Sequence, residues 1–167
     1  RESAGILDAS TLGKIDIQGT DASEFLNRVY TNAWSKLDIG KCRYGLMLNE
    51  DGMVYDDGVT TRLNENHYVM TTTTGGAANV LSKLEDYLQT EWPELDVWLT
   101  SVTDQYATAS VCGPNSKNIL KKLFPKVEFN DENFPHMSFK NADLDGINCR
   151  IMRISFTGEH SYEINID

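Results

Sequence analysis

The sequence lacks the features of a membrane, secreted, metal-binding or nucleic-acid-binding protein. None of its apolar runs approaches the roughly 20 residues of a membrane-spanning helix, and no signal peptide is present. Its three cysteines are widely spaced, form no CxxC pair and do not fall near the three histidines at metal-ligand spacing. The net charge is −10, and no cluster of lysine and arginine is available for phosphate contacts. We therefore predict a reduced, cytoplasmic protein without a metal site.

Length and composition limit the size of the fold. A chain of 167 residues with 40% hydrophobic residues suits one globular domain or two small lobes. Most of the acidic residues are expected to form a solvated surface. The chain begins at Arg1 rather than at a methionine, which we interpret as a cut from a longer chain.

One stretch, residues 42–62, reads as a β-hairpin that carries two acids in an otherwise apolar strand. An Asp-Gly turn separates its two apolar runs, which is a strong hairpin signal. Asp56 and Asp57 stand where a strand normally carries Val or Ile. Since neighbouring strand residues face opposite sides, only one acid can point inward. On local sequence two interpretations remain open: either Asp56 is solvated and Asp57 caps a turn with Gly58, or the acid pair marks a functional site. In the second, we predict that Asp57 points inward and that Asp56 points the other way and is replaceable.

Elsewhere the apolar pattern predicts helices on antiparallel strands. Alternation predicts a strand over 13–19, and helical spacing predicts helices over 21–30 and from 77 to about 90. A third helix is predicted to end near Pro125. Further strands are predicted at 67–70, 97–99, 106–111, 137–139, 147–154 and 162–166. This order predicts an α+β fold of antiparallel sheets with flanking helices.

The common cofactor and catalytic motifs are absent from the sequence. There is neither a phosphate loop nor a dinucleotide fingerprint, and no Ser/His/Asp or Cys/His set can be assembled. A Gly-Gly pair at 75–76 opens a helix and could hold an anion, although chain reversal is the commoner use of such glycines. Glu163 lies between Tyr162 and Ile164 in an alternating strand, and this position alone predicts a solvent-facing side chain.

Six segments, in order, carry a family resemblance. They are LDASTLGKIDIQG, FLNRVYTN, CRYGLMLNEDGMVYDDGVTTRLNENHYVMTTTTGG, TEWPELDV, a CGP before a helix, and RISFTGEHSYEINI. Together they resemble the folate-binding domain of the aminomethyltransferase family, the family of the glycine-cleavage T-protein. Within it the chain looks most like the alpha subunits of heterotetrameric sarcosine oxidases. The resemblance implies that residues 1–167 are the N-terminal part of that domain and that its C-terminal lobe is missing.

The resemblance also implies roles for individual residues. Asp57 matches the second acid of the family's DD hairpin motif, which is the catalytic carboxylate. Glu163 matches the pterin-binding glutamate, which reverses the expectation from position alone, because a carboxylate can accept two adjacent N–H groups. Tyr44 matches a tyrosine that packs near the pterin or its linker. The remaining cofactor-binding positions are Leu12, Thr73 and Phe156, which stand where the family has a methionine, an asparagine and a tyrosine.

The chemistry implied by the resemblance is a one-carbon transfer coupled to amine oxidation. Sarcosine would be oxidised to glycine with formation of hydrogen peroxide, and its one-carbon unit would pass to tetrahydrofolate to give methylene-tetrahydrofolate. Asp57 would move the proton. Flavin and NAD are expected only in the rest of a complex with the other oxidase subunits, so this chain is expected to be inactive alone.

Three alternatives to a sarcosine oxidase remain open on the sequence. One is a related dimethylglycine dehydrogenase or aminomethyltransferase. Another is a non-catalytic folate-binding scaffold of the iron–sulfur assembly type, whose KGCYxGQE-like motif is not found in these residues. The third is a lobe that only docks subunits. The DD hairpin motif favours an enzyme over both non-catalytic alternatives.

Overall fold

The chain folds into two compact units, as described by a computed structural model of residues 2–167. We call Leu12–Thr103 the central unit. The terminal unit joins the described residues up to Thr11 with Asp104–Asp167. Each unit contains one five-stranded antiparallel sheet and its own apolar core, so the predicted α+β class is confirmed.

The described residues form ten strands and three α-helices. In chain order they are β1 (Gly5–Asp8), β2 (Gly13–Gln18), α1 (Ala22–Val29), β3 (Cys42–Leu48), β4 (Val54–Asn64), β5 (His67–Thr72), α2 (Ala77–Asp86), β6 (Trp98–Ser101), β7 (Ala107–Cys112), α3 (Ser116–Leu123), β8 (Ser138–Leu144), β9 (Ile147–Arg153) and β10 (Ser161–Ile166). The predicted helices and strands are confirmed, and β1 is added. Because all four residues of β1 are exposed, its sequence carries no alternating pattern.

The central unit packs α1 and α2 with a sheet of strand order β3-β4-β5-β2-β6. Helix α1 buries Phe25 and Leu26, and α2 buries Val80 and Leu84, as expected for amphipathic helices. These side chains share a core with Trp34 and residues of the sheet. The helix predicted to reach residue 90 is α-helical only to the end of α2 and continues as a single π-helical turn.

The terminal unit packs α3 with a sheet of strand order β1-β7-β10-β9-β8. Its core contains an aromatic cluster in which the rings of Phe129, Phe134 and Tyr162 lie with centroids 5.5–5.9 Å apart. Tyr162 and Ile164 of β10 are buried in this core, which turns Glu163 to the other face of the sheet. No helix among residues 2–167 is long and apolar enough to cross a membrane.

Candidate functional site

Strands β3 and β4 form the predicted hairpin, and its two acids face opposite sides of the sheet. Asp56 lies opposite Met47 and Asp57 lies opposite Leu46. Met47 is completely buried in the core, and Asp56 is only 5% exposed, whereas Asp57 is half-buried. The prediction that Asp57 points into the core side and that Asp56 is solvated is therefore wrong, because Asp56 is the buried acid.

A β-bulge in β4 explains why Asp56, and not Asp57, is the buried acid. Val54 pairs with Leu48 and Asp56 pairs with Met47, so Tyr55 is an extra residue in β4. Such an insertion turns the residues that follow it to the opposite faces of the sheet. Val54, before the bulge, is 56% exposed although it is apolar.

Asp56 is bonded to the segment that leads into α2. Its Oδ1 accepts the hydroxyl of Thr73 at 2.6 Å, and its Oδ2 accepts the backbone N–H of Thr73 at 3.2 Å. The Thr73 hydroxyl oxygen accepts the N–H of Gly76, the residue before α2, at 3.1 Å. A Cβ at Gly76 would lie 2.6 Å from both Asp56 Oδ1 and Thr73 Oγ1, so this turn requires glycine. Burial of the Asp56 carboxylate is therefore compensated by two hydrogen bonds.

Tyr44 and Asp57 meet on the other face of the hairpin. The Tyr44 hydroxyl donates to Asp57 Oδ2 at 2.9 Å, a diagonal contact between neighbouring strands. This hydrogen bond is the main cause that raises the pKa of the Tyr44 phenol above its ordinary value, so the phenol remains protonated and a donor. No hydrogen bond from residues 2–167 reaches the other oxygen, Oδ1 of Asp57. The carboxylate thus has one fixed oxygen and one available to exchange a proton.

Tyr30 lies within electrostatic reach of both acids. Tyr30 is only 6% exposed, and its backbone pairs with Met47 of β3 in an isolated antiparallel β-bridge. Burial raises the pKa of the Tyr30 phenol far above its ordinary value, and the charges of Asp56 and Asp57 raise it further. Tyr30 is therefore neutral at physiological pH, so it does not supply a charge to the site.

The other predicted residues of the central unit lie at the ends of its strands. Leu12 is half-buried just before β2, and its carbonyl oxygen accepts the ammonium of Lys14 at 3.0 Å. Thr73 follows β5 and is exposed, although its hydroxyl is bonded to Asp56. The structure thus joins Tyr44 directly to Asp57, and it joins Thr73 to the neighbouring acid.

Glu163 and Phe156 belong to the terminal unit. Glu163 lies in β10 with Ser110 of β7 and Met152 of β9 as its cross-strand neighbours, and it is half-buried. Phe156 precedes β10 and is 100% exposed. Glu163 therefore stands on a regular, paired strand, whereas Phe156 stands in a loop.

Sequence reasoning missed the bond between Asp56 and Thr73. The signal that could have found it is the run of four threonines at 71–74, because hydroxyl groups at a strand end can donate to a nearby carboxylate. Within the described part of the chain, no three His, Cys, Asp or Glu side chains come close enough together to hold a metal ion.

The α+β fold and the acid-bearing hairpin define a known class of domain. The chain belongs to the GCVT N-terminal domain family, whose model matches residues 1–167. A solved structure, the glycine cleavage system aminomethyltransferase T from Bartonella henselae, is similar with a TM-score of 0.83 and 25% identity, over 99% of this chain and 42% of that chain. The predicted family resemblance is thereby confirmed.

Within that class, the chain is similar to sarcosine oxidase subunits. It is 59% identical to the sarcosine oxidase subunit alpha of Corynebacterium sp. (strain P-1), over 99% of this chain and 17% of that relative. The chain thus spans 17% of the length of this curated relative. A chain of the heterotetrameric sarcosine oxidase from Corynebacterium sp. U-96 shares the fold, with a TM-score of 0.67 at 13% identity, over 97% of this chain and 74% of that chain.

Proposed function

We propose that this chain is the tetrahydrofolate-dependent module of a sarcosine oxidase alpha subunit. The observation that carries the proposal is the Asp57 carboxylate, which holds a phenol on Oδ2 and takes no hydrogen bond from residues 2–167 on Oδ1. The 59% identity to one such subunit supports this choice of enzyme. The overall reaction would convert sarcosine, oxygen and tetrahydrofolate into glycine, hydrogen peroxide and methylene-tetrahydrofolate.

The side chains of each unit suit a reduced folate. The Glu163 carboxylate can accept hydrogen bonds from two adjacent N–H groups of a pterin edge. Its backbone is fixed because β10 is paired with β7 and β9 on either side. Tyr44 offers a half-exposed ring for packing, and Leu12 offers an apolar surface. We assign the exposed Thr73 to a contact near the reacting end of the folate, and the exposed Phe156 to packing of its ring. Tetrahydrofolate, when bound, supplies the amine that receives the one-carbon unit.

Asp57 is the group that moves protons in the proposed transfer. Its Oδ1 accepts the proton that an amine nitrogen loses as the new carbon–nitrogen bond forms. The same atom returns a proton to the glycine nitrogen when that nitrogen leaves. Tyr44 holds Oδ2 throughout, so the carboxylate keeps one orientation and its negative charge lies where a cationic iminium substrate would be stabilised.

The remaining steps are assigned to other parts of the enzyme. We place the flavin and NAD, the oxidation of sarcosine and the formation of peroxide outside these 167 residues, since no dinucleotide fingerprint occurs in them. The partners would be the other subunits of a heterotetramer in the cytoplasm. Residues 1–167 would form the N-terminal part of a folate-binding domain that a C-terminal lobe completes.

The test follows the methyl carbon of sarcosine through the holoenzyme. With sarcosine labelled at that carbon and saturating tetrahydrofolate, we expect the label in methylene-tetrahydrofolate. Without tetrahydrofolate we expect the same label in formaldehyde, because the iminium then meets only water. Formaldehyde as the main labelled product under both conditions would contradict the proposed function.

A further inference from the structure

The ladder between β4 and β5 ends just before the acid pair. The last regular pair at that end is Thr60 with Met70, whereas β5 continues to Thr72 beside β2. Residues 56–59 of β4 therefore have regular cross-strand pairing only with β3. A strand segment with one paired edge is held by fewer backbone hydrogen bonds than the middle of a sheet.

Beyond the end of this ladder, Thr71 and Thr73 form hydrogen bonds that hold residues 56–59 of β4. The N–H of Val59 donates to Thr71 Oγ1 at 3.0 Å, and the Thr71 hydroxyl donates to the Val59 carbonyl at 3.3 Å. A Cβ on Gly58 would lie 1.8 Å from the Thr71 carbonyl oxygen, so the two strands approach too closely here for any side chain. Thr73 makes the second contact through its N–H and O–H, both donated to Asp56.

Asp56 is a strong anchor for this second contact. It is 5% exposed, and hydrogen bonds to an ionised carboxylate are stronger than those between neutral groups. Through the Thr73 hydroxyl the anchor also reaches the N–H of Gly76 at the start of α2. Asp56 thereby ties the unpaired edge of β4 to the beginning of a helix whose side chains lie in the core.

We propose that Asp56, Thr73 and Thr71 form a clamp that positions Asp57, an inference that rests on the proposed role of Asp57 as the proton carrier. Asp56 faces away from Asp57 and acts on it only through the backbone of β4, so it is a positioning residue. The clamp fixes the strand from which the Asp57 side chain extends. Tyr44 fixes the far end of the same side chain through Oδ2.

The test combines kinetics with amide exchange in the holoenzyme. The variants are Asp56→Ala, Thr73→Val and their combination, with Thr73→Ser as the conservative change that keeps the hydroxyl and Asp57→Ala as the test of the proposed function. Asp38→Asn is the matched control, because Asp38 is exposed and its side chain makes no hydrogen bond to residues 2–167. Sarcosine oxidation, methylene transfer and hydrogen exchange of the Val59 and Thr73 amides are measured for each variant.

We expect Asp56→Ala and Thr73→Val each to lower the kcat of methylene transfer by about tenfold, because a small displacement of a reacting group is costly. In Asp56→Ala the KM for tetrahydrofolate and the rate of sarcosine oxidation should not change, whereas Thr73→Val should also raise the KM, because we assign Thr73 to a contact at the reacting end. Since both changes break the same contact, between Asp56 and Thr73, methylene transfer in the double variant should be no slower than in Asp56→Ala. Asp38→Asn should behave as wild type, Thr73→Ser should retain a higher kcat than Thr73→Val, and the Val59 and Thr73 amides should exchange faster in Asp56→Ala.

Each opposite result has a distinct meaning. Wild-type transfer in Asp56→Ala, with transfer lost in Asp57→Ala, would overturn the clamp and leave the proposed function standing. Wild-type transfer in Asp57→Ala would instead contradict the proposed function. Unchanged amide exchange in Asp56→Ala would overturn the clamp, whatever the transfer rates are. If Asp56→Ala does not fold, Thr73→Val decides by the same readouts, since Thr73 lies on the surface.

Discussion

The Tyr44 hydroxyl lies 2.9 Å from Oδ2 of Asp57, while the preceding acid, Asp56, takes its hydrogen bonds from Thr73 on the other face of the sheet. Two chemically identical side chains, adjacent in sequence, therefore have different surroundings. Asp56 is buried with both oxygens bonded, and Asp57 is half-buried with one oxygen bonded. This difference supports our proposals that Asp56 holds the strand and that Asp57 transfers protons.

The Tyr44–Asp57 hydrogen bond predicts a shifted phenol titration. The bond with Asp57 raises the pKa of Tyr44 above its ordinary value near 10, so Tyr44 should ionise later than an unperturbed tyrosine. Because the folded pKa is the higher one, the stabilisation from this bond is present below pH 10 and is lost as pH rises through the raised pKa. In Asp57→Ala, tyrosinate absorbance should show one phenol ionising at lower pH than in wild type.

Tyr44→Phe provides the control for that titration. It removes the phenol in question, so the ionisation that moves in Asp57→Ala should be missing from Tyr44→Phe. Identical alkaline titrations of wild type and Asp57→Ala would show that the two side chains are not bonded in solution.

Replacing Asp57 should separate the two halves of the proposed reaction. In the holoenzyme, Asp57→Ala should reduce methylene transfer by about 100-fold or more, the typical scale for loss of a general acid–base group. Sarcosine oxidation should stay near the wild-type rate, because we place the flavin outside this chain. Formaldehyde should then replace methylene-tetrahydrofolate at saturating tetrahydrofolate, and both products can be measured in one assay.

The surface variant Asp38→Asn is the reference for this comparison. It should retain wild-type transfer and release no additional formaldehyde. Should Asp57→Ala deliver methylene-tetrahydrofolate as fast as this reference, Asp57 is not the proton carrier.

Local patterns were sufficient to predict most of the elements. Helix α1 is predictable because Phe25 and Val29 lie four residues apart, at helical spacing, and β2 because Ile15 and Ile17 alternate with polar residues. The hairpin that carries Asp57 is predictable because an Asp-Gly pair between two apolar runs is a strong signal for a β-hairpin turn. Each of these signals lies within a few residues of the element that it forms.

The environment of the acid pair could not be predicted in the same way. Alternation shows that Asp56 and Asp57 face opposite sides, but the bulge at Tyr55 decides which side is buried. The bonds to Thr73 depend on where the β4–β5 ladder ends, which is a property of the folded sheet. The family resemblance predicts the role of Asp57 without this geometry, whereas nothing in the local sequence indicates that Asp56 is buried and bonded to Thr73.

A substitution at Gly58 should destabilise the central unit. Since a Cβ there would lie 1.8 Å from the carbonyl oxygen of Thr71, Gly58→Ala has to push β4 and β5 apart. We expect the free energy of unfolding to fall by about 1–3 kcal/mol, the usual cost of overpacking. Denaturant titration of Gly58→Ala beside Gly75→Ala provides the measurement, because a Cβ on Gly75 meets no atom within 4 Å. Equal stabilities of the two variants would show that the strands are not in close contact at Gly58.

Glu163→Gln should weaken folate binding without changing sarcosine oxidation. The amide keeps one acceptor oxygen but loses the negative charge and the second acceptor, so a pterin edge with two adjacent N–H groups can no longer be matched. We expect a loss of about 1.5–3 kcal/mol, the range for hydrogen bonds to charged groups. Calorimetric titration of the holoenzyme with tetrahydrofolate measures this loss directly.

The matched control for Glu163→Gln is Glu132→Gln, which makes the same chemical change at an exposed position of the terminal unit. It should bind tetrahydrofolate as wild type does. The glutamine has nearly the size of the glutamate, and the strand pairs of Glu163 with β7 and β9 do not depend on its side chain. A reduced affinity therefore reports the lost carboxylate contact. Equal affinities of the two variants would remove Glu163 from the binding site and leave the proton-transfer role of Asp57 to be judged by its own variants.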